Sequence, residues 1–327
     1  MKPKVFIARP VSPEVETYIA KHCDYKIWKN PEKIPNHILL EEAKKVDGLL
    51  VQNAAVTRDF LSQLPNLKII SNTAVGYDSF DLEAMREFGV IGTHTPFVLD
   101  ETVADLVFAL ILSAARRVPE LNNYVKQGLW SKDTKAEELF GADVHHANLG
   151  IVGMGRIGEK IARRAVFGFE MNVRYYATTP KPDLDEKYGM RYSGLDELLE
   201  KSDFVVLIVP LTDSTRHMMG MEQFKRMKAS AYLINAARGA VVDEQALIEA
   251  LTSGDIAGAA LDVFEKEPVD LDNPLLKMKQ VTALPHIGSA TAKTREAMVM
   301  KAAENLVAGV TGEIPENVMK ELKDTYK

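Results

Sequence analysis

At 327 residues the chain is longer than one hydrophobic core usually grows, so two domains are expected. Apolar residues at 46% and charged residues at 26% are globular values, and a net charge of -6 with no basic block argues against nucleic-acid binding. Cys23 is the only cysteine, which excludes an internal disulfide and fits a reducing cytoplasm, and no Cys/His spacing suggests a metal site.

In chain order, the apolar runs Val5-Phe6-Ile7-Ala8, Gly48-Leu49-Leu50-Val51 and Leu67-Lys68-Ile69-Ile70 read as strands buried on both faces. Segments 13–21, 36–45 and 58–64 between them carry apolar residues at helical spacing. Segment 101–117 reads as a long helix with little polar surface, suited to burial between layers or domains. Its apolar stretch is far short of the ~20 residues that span a bilayer, and the N-terminal apolar run is too short for a signal peptide. A second strand series follows: 149–152, 172–176, 204–208, 231–234 and 257–261. Segment 290–310 is a last long helix.

Strands alternating with helices give parallel sheets covered by helices, because a parallel pair needs a crossover. The expected fold is α/β with two doubly wound parallel-sheet domains. If the last helix returns to the first sheet, residues 1–99 and 292–327 form one discontinuous domain, into which 100–291 is inserted. Two crossing segments would then make a hinge, closing a two-substrate reaction off from water.

The run Gly153-Met154-Gly155-Arg156-Ile157-Gly158 is a G-x-G-x-x-G. Alone it is a weak signal, but here it follows a strand and opens a helix at 156–167, as dinucleotide binding requires. Gly153 suits the tight turn, Gly155 lets backbone approach a pyrophosphate, and Gly158 lets helix pack on strand. The following strand ends in Tyr175-Tyr176-Ala177-Thr178-Thr179-Pro180-Lys181, without the acidic residue that holds an NAD ribose. That loop, contributed by Ala177, Thr178 and Thr179, favours NADP(H) while still admitting NAD(H).

Three more blocks lie at strand ends: Asn235-Ala236-Ala237-Arg238-Gly239, the run from Leu261 through Glu267 to Pro268, and Pro285-His286-Ile287-Gly288. Reduction of a 2-oxo acid needs a cation for the carboxylate and carbonyl, an acid for the new alkoxide, and a group that orients that acid. Arg238 offers the planar fork, His286 the proton, and Glu267 the orienting carboxylate. His145-His146, adjacent on a segment read as extended, would point opposite ways and is not expected to share a metal. His94 reads as structural.

These three blocks are similar to the signature segments of the D-isomer-specific 2-hydroxyacid dehydrogenase family, and the likeness runs over nearly the whole chain. Within it, Val75-Gly76-Tyr77-Asp78, Gly92-Thr93-His94-Thr95-Pro96 and Ala142-Asp143-Val144-His145-His146 resemble the glyoxylate/hydroxypyruvate and bacterial 2-ketogluconate reductases. The resemblance implies a Rossmann cofactor domain inserted in a flavodoxin-like substrate domain. It also implies reduction of glyoxylate, hydroxypyruvate or 2-ketogluconate to the D-2-hydroxy acid. It assigns catalysis to Arg238, Glu267 and His286, and substrate binding to Arg238, His286 and the Val75 and Gly76 N–H groups. Thr102, Arg156, Ile157, Pro210, Thr215, Ala236, Asp262 and Gly288 would line the cofactor. It further implies a homodimer joined through the cofactor domains, with Trp130 reaching the partner. Two departures stand out: Ala177-Thr178-Thr179 lacks the Asn-Arg or Ser-Arg pair of NADP-using relatives, and Ala237 replaces a common Ser. Alternatives left open are another acid, such as phosphoglycerate, and a corepressor-like protein that senses NAD(H).

Overall fold

A computed structural model describes residues 1–52 and 54–326. The chain separates into two compact units, one formed by Met1–Leu99 with Ala290–Lys327 and the other by Asp100–Ser289.

The first unit opens with β1 (Lys4–Ile7), α1 (Pro13–His22), β2 (Asp24–Ile27), α2 (Asn36–Ala43), β3 (Gly48–Val51), α3 (Arg58–Ser62), β4 (Ile69–Asn72), α4 (Leu82–Glu87) and β5 (Ile91–Thr93). All pairings are parallel, in the order β2-β1-β3-β4-β5, the flavodoxin-like arrangement. Side-chain alternation splits its core. Val5, Ile7, Leu50 and Ile69 face one side, while Phe6, Leu49, Val51 and Ile70 face the other. Fully burying each such side chain stabilises the fold by about 1.5–3 kcal/mol.

The second unit contains α5 (Asp100–Ala115), α6 (Val118–Lys126), β6 (Asn148–Val152), α7 (Arg156–Phe169), β7 (Asn172–Tyr176), α8 (Pro182–Tyr188), β8 (Arg191–Tyr192), α9 (Leu195–Lys201), β9 (Phe204–Leu207), α10 (Met221–Arg226), β10 (Tyr232–Asn235), α11 (Glu244–Ser253), β11 (Gly258–Leu261) and β12 (Val281–Ala283). Its seven-stranded sheet is again all parallel, ordered β12-β11-β10-β9-β6-β7-β8. The strand order reverses between β6 and β9, and open α/β sheets bind ligands at the carboxyl ends beside such a reversal. The apolar α5 packs inside this unit, on α7 and on β10, β11 and β12. The chain then returns to the first unit as α12 (Ala292–Thr311), which packs on α1, β3, β4 and β5. Among the described residues, no helix is long and apolar enough to cross a membrane.

Two local expectations shift. The strand read at 67–70 lies at Ile69–Asn72, because the polar Ser71 and Asn72 are buried and each donates a side-chain hydrogen bond to backbone. Ser71 Oγ donates to the Ala302 carbonyl at 2.7 Å, and Asn72 Nδ2 donates to the Gly76 carbonyl at 2.9 Å. His145 and His146 occupy a turn rather than an extended segment. His146 has φ 60°, and the two rings meet edge to face at 5.0 Å.

Candidate active site

The glycine run sits at the carboxyl end of β6, in the middle of the second sheet. Gly153 has φ +112°, and its N–H donates to the Tyr176 carbonyl at 2.8 Å, tying the turn to β7. A side chain at Gly153 would meet the Ile208 carbonyl oxygen at 2.7 Å, and one at Gly158 would meet the Gly153 carbonyl oxygen at 2.3 Å. Both are therefore excluded by the protein itself. Gly155 is different: nothing lies within 4 Å of where its side chain would stand, so that face is left for something other than protein. Gly155 also N-caps α7 without a side-chain hydrogen bond, leaving the first-turn N–H groups for an anion. These residues fit the pyrophosphate of a dinucleotide.

Around this turn, Arg156 Nε lies 3.1 Å from the buried Asp100 carboxylate, which fixes the first turn of α7 against the start of α5. Ile157 is half-buried on α7 and Thr102 is half-buried on α5. At the end of β7, Lys181 N–H donates to the buried Tyr175 hydroxyl at 2.6 Å, holding the loop that exposes Thr178 and Thr179 with Ala177 half-buried. After β9, Thr215 Oγ1 donates to the Pro210 carbonyl at 2.6 Å and accepts from Thr212 N–H at 2.8 Å, so Pro210 and Thr215 belong to one ordered turn.

The catalytic candidates follow β10, β11 and β12, three neighbouring strands. Asn235 shapes the first segment. Its amide donates to the Arg238 carbonyl at 3.0 Å and accepts from Ala237 N–H at 3.1 Å, with Ala236 between. Gly239 then presses on the Phe264–Glu265 backbone so closely that a side chain would stand 1.9 Å from the Phe264 carbonyl carbon. This contact explains the glycine and brings the Arg238 segment against the Glu267 loop. The Arg238 guanidinium also donates to the Ala237 carbonyl at 2.8 Å.

His286 Nδ1 lies 2.7 Å from Glu267 Oε2. Burial pushes the Glu267 carboxyl up. The His286 hydrogen bond and charge, the Phe264 N–H and the Arg238 charge outweigh that burial and hold it below the usual glutamate range. An ionised Glu267 only accepts, so Nδ1 carries the proton and Nε2 remains for chemistry. The His286 backbone is left-handed, φ 54°, and Asp262 holds it there. His286 N–H donates to the Asp262 carbonyl at 2.9 Å, while the Asp262 carboxylate accepts from Ile287 N–H at 2.7 Å and Gly288 N–H at 2.8 Å. Burial raises the Asp262 carboxyl pKa, against those two donors. Sequence reasoning set Asp262 beside the cofactor and missed this clamp on the histidine loop. No local pattern could have announced it, because Asp262 follows one strand and its partners Ile287 and Gly288 follow the next.

Val75 and Gly76 lie in the first unit, directly after β4, both half-buried. Among the described residues no group of three or more His, Cys, Asp or Glu side chains is placed to hold a metal ion.

Residues 108–288 match the family described as D-isomer specific 2-hydroxyacid dehydrogenase, NAD binding domain. The whole chain is similar to glyoxylate/hydroxypyruvate reductase B of Yersinia pestis (strain Pestoides F), 45% identical over 97% of each chain. In structure it is similar to the NADPH-dependent glyoxylate/hydroxypyruvate reductase of Sinorhizobium meliloti in complex with NADP and malonate. That match has a TM-score of 0.86 and 31% identity, covering 98% of both chains. The D-lactate dehydrogenase of Aquifex aeolicus complexed with NAD and lactic acid gives a TM-score of 0.84 at 33% identity, covering 97% of this chain and 98% of that one.

Proposed function

Because this chain belongs to the D-isomer-specific 2-hydroxyacid dehydrogenase family, an NAD(P)-dependent oxidoreductase family, we propose that it reduces glyoxylate and hydroxypyruvate to the D-2-hydroxy acids. The observation that carries this reading is the His286–Glu267 pair, 2.7 Å apart beside Arg238 on successive strand ends of a dinucleotide-binding sheet. In this assignment the Arg238 fork pairs with the substrate carboxylate and polarises its carbonyl. His286 Nε2 would donate a proton to the oxo oxygen, and Glu267, accepting from Nδ1, orients the imidazole for that transfer. The N–H groups of Val75 and Gly76 supply further anion donors. A bound NAD(P)H supplies the hydride. Gly153, Gly155, Arg156, Ile157 and Gly158 would hold its phosphates, with Thr102, Pro210, Thr215, Ala236, Asp262 and Gly288 around the rest. The first unit is then the substrate-binding domain and the second the cofactor domain.

NADPH is the proposed reductant. The end of β7 offers Ala177, Thr178 and Thr179 where a carboxylate would repel a 2′-phosphate, and the S. meliloti relative is NADPH-dependent. NADH remains a slower partner. Thr178→Asp is expected to shift the kcat/KM ratio toward NADH by about tenfold or more, one full charge repelling the phosphate. An unchanged ratio would place the 2′ contact elsewhere.

The function is tested by initial rates with glyoxylate, hydroxypyruvate and 2-keto-D-gluconate, each with NADPH and NADH, followed at the nicotinamide absorbance. Turnover of the first two supports the assignment. NADPH binding without turnover of any acid would instead support a nucleotide-sensing role.

We also place the protein in the cytoplasm, as a homodimer that binds no nucleic acid. Its single cysteine is free and buried, and its net charge is negative. The helix α6 has no buried residue, and Val118, Val125, Leu129, Trp130 and Phe140 on and after it are more than half exposed. A patch of that kind marks a protein interface. Light scattering at twice the chain mass, reduced to one chain mass by Trp130→Glu with Val125→Glu, is the expected outcome.

A further inference from the structure

We infer that His94 is a positioning residue: it aims the Gly76 N–H at the substrate carboxylate by holding the Val75 carbonyl. The inference rests on the proposed reading of Val75 and Gly76 as carboxylate donors, and it names what makes them donors.

The loop after β4 is tied down by its carbonyl oxygens. The Ala74 carbonyl accepts from Thr95 N–H at 3.1 Å, the Val75 carbonyl meets His94 Nδ1 at 2.9 Å, and the Gly76 carbonyl accepts from Asn72 Nδ2 at 2.9 Å. A carbonyl only accepts, so His94 Nδ1 carries the hydrogen. In a planar trans peptide the C=O of one residue and the N–H of the next point in opposite directions. Drawing the Ala74 carbonyl toward Thr95 therefore turns the Val75 N–H the other way. Drawing the Val75 carbonyl toward His94 does the same for the Gly76 N–H. Glycine at 76 leaves that peptide plane otherwise free to rotate.

His94 is itself held from behind. Its N–H donates to the Asn317 carbonyl at 3.2 Å, and its carbonyl accepts from Asn305 Nδ2 at 3.2 Å. Asn317 Nδ2 in turn donates to Asn305 Oδ1 at 3.2 Å, and both asparagines are buried. The ring stands edge-on to Tyr77 at 5.1 Å, within the same loop. Asn72 and Thr95 set the planes on either side, but only His94 does so from a side chain at the β5 end of the loop.

The test compares His94→Asn with His94→Leu, side chains of the same branched heavy-atom skeleton that differ in the presence of an N–H donor, with His94→Phe as a ring-preserving control. The readouts are the glyoxylate KM, the inhibition constant of malonate as a non-reacting carboxylate, and the NADPH dissociation constant. The Leu and Phe variants are expected to raise KM and the malonate constant together by about tenfold, the effect of one hydrogen bond. NADPH binding should not move, and Asn should restore most of the loss. Equal values for Asn and Leu would overturn the inference, as would a loss of NADPH affinity in step with KM. Should Leu fold poorly, the Asn and Phe pair gives the same comparison. If Arg238→Ala weakens malonate while the His94 variants do not, the active-site reading stands and only the positioning role falls. If the unaltered protein neither turns over glyoxylate nor binds malonate, the reading itself falls.

Discussion

His286→Ala is expected to lower kcat for glyoxylate by about 10²–10⁴-fold, the usual worth of a positioned proton donor, with NADPH binding as before. The expectation follows from how completely the histidine is arranged. Glu267 accepts a hydrogen bond from its Nδ1–H at 2.7 Å, the Glu267 carboxyl is held below its ordinary range, and Asp262 fixes the left-handed backbone beneath it. Only the Nε2 face is left to act. Removing the imidazole deletes the donor for the developing alkoxide and leaves the glycine turn at β6 untouched, which is why the loss belongs in kcat and not in cofactor affinity. Stopped-flow NADPH binding beside steady-state rates separates the two. Wild-type kcat in the variant would remove His286 from the proton-transfer step.

Arg238→Ala is expected to cost about 10²–10³ in kcat/KM, divided between a higher KM for the acid and a lower kcat. The division reflects two tasks for one side chain. The guanidinium pairs with the carboxylate in the ground state and with the carbonyl oxygen as charge builds there. Arg238→Lys should recover part of KM but little of kcat, because an ammonium is a point charge without the planar fork. The Arg238 segment is pinned by Asn235 and by the close contact of Gly239 with Phe264, so the surrounding loop should survive either change. A defect confined to NADPH affinity would contradict the assignment.

Most of the interior of both sheets was legible because β1, β3, β6, β9, β10 and β11 carry apolar runs of strands covered on both faces, whereas β4 ends in Ser71-Asn72 and β7 alternates. Sequence reasoning gave no bounds for β2, β5, β8 and β12, the four edge strands, and reached β12 only by setting the Pro285 block at a strand end. They are short, and β2 reads Asp24-Tyr25-Lys26-Ile27 with three of four residues exposed, so no apolar pattern marks it. The return of the last helix was readable only as a condition, since its partners on β3 and β4 lie more than 200 residues away. The glycine turn and the Arg238, Glu267 and His286 blocks stood out because each carries its chemistry in contiguous residues. The Asp262 clamp and the His94 contact did not, because each joins residues whose nearness exists only after the sheet has formed.

The placement of α12 also sets a sequence of events on the ribosome. Val5, Ile7, Leu50 and Ile69 share a core with residues 299–310 of α12, and the whole second unit is synthesised between those two pieces. At about 5–20 residues per second, that face of the first sheet waits roughly 10–40 s for its helix after β5 has emerged. The second unit, continuous in the chain, has no such wait. The nascent N-terminal sheet is therefore the part of this protein most exposed to chaperones, and a chain interrupted before α12 would carry that apolar face covered by α1 alone.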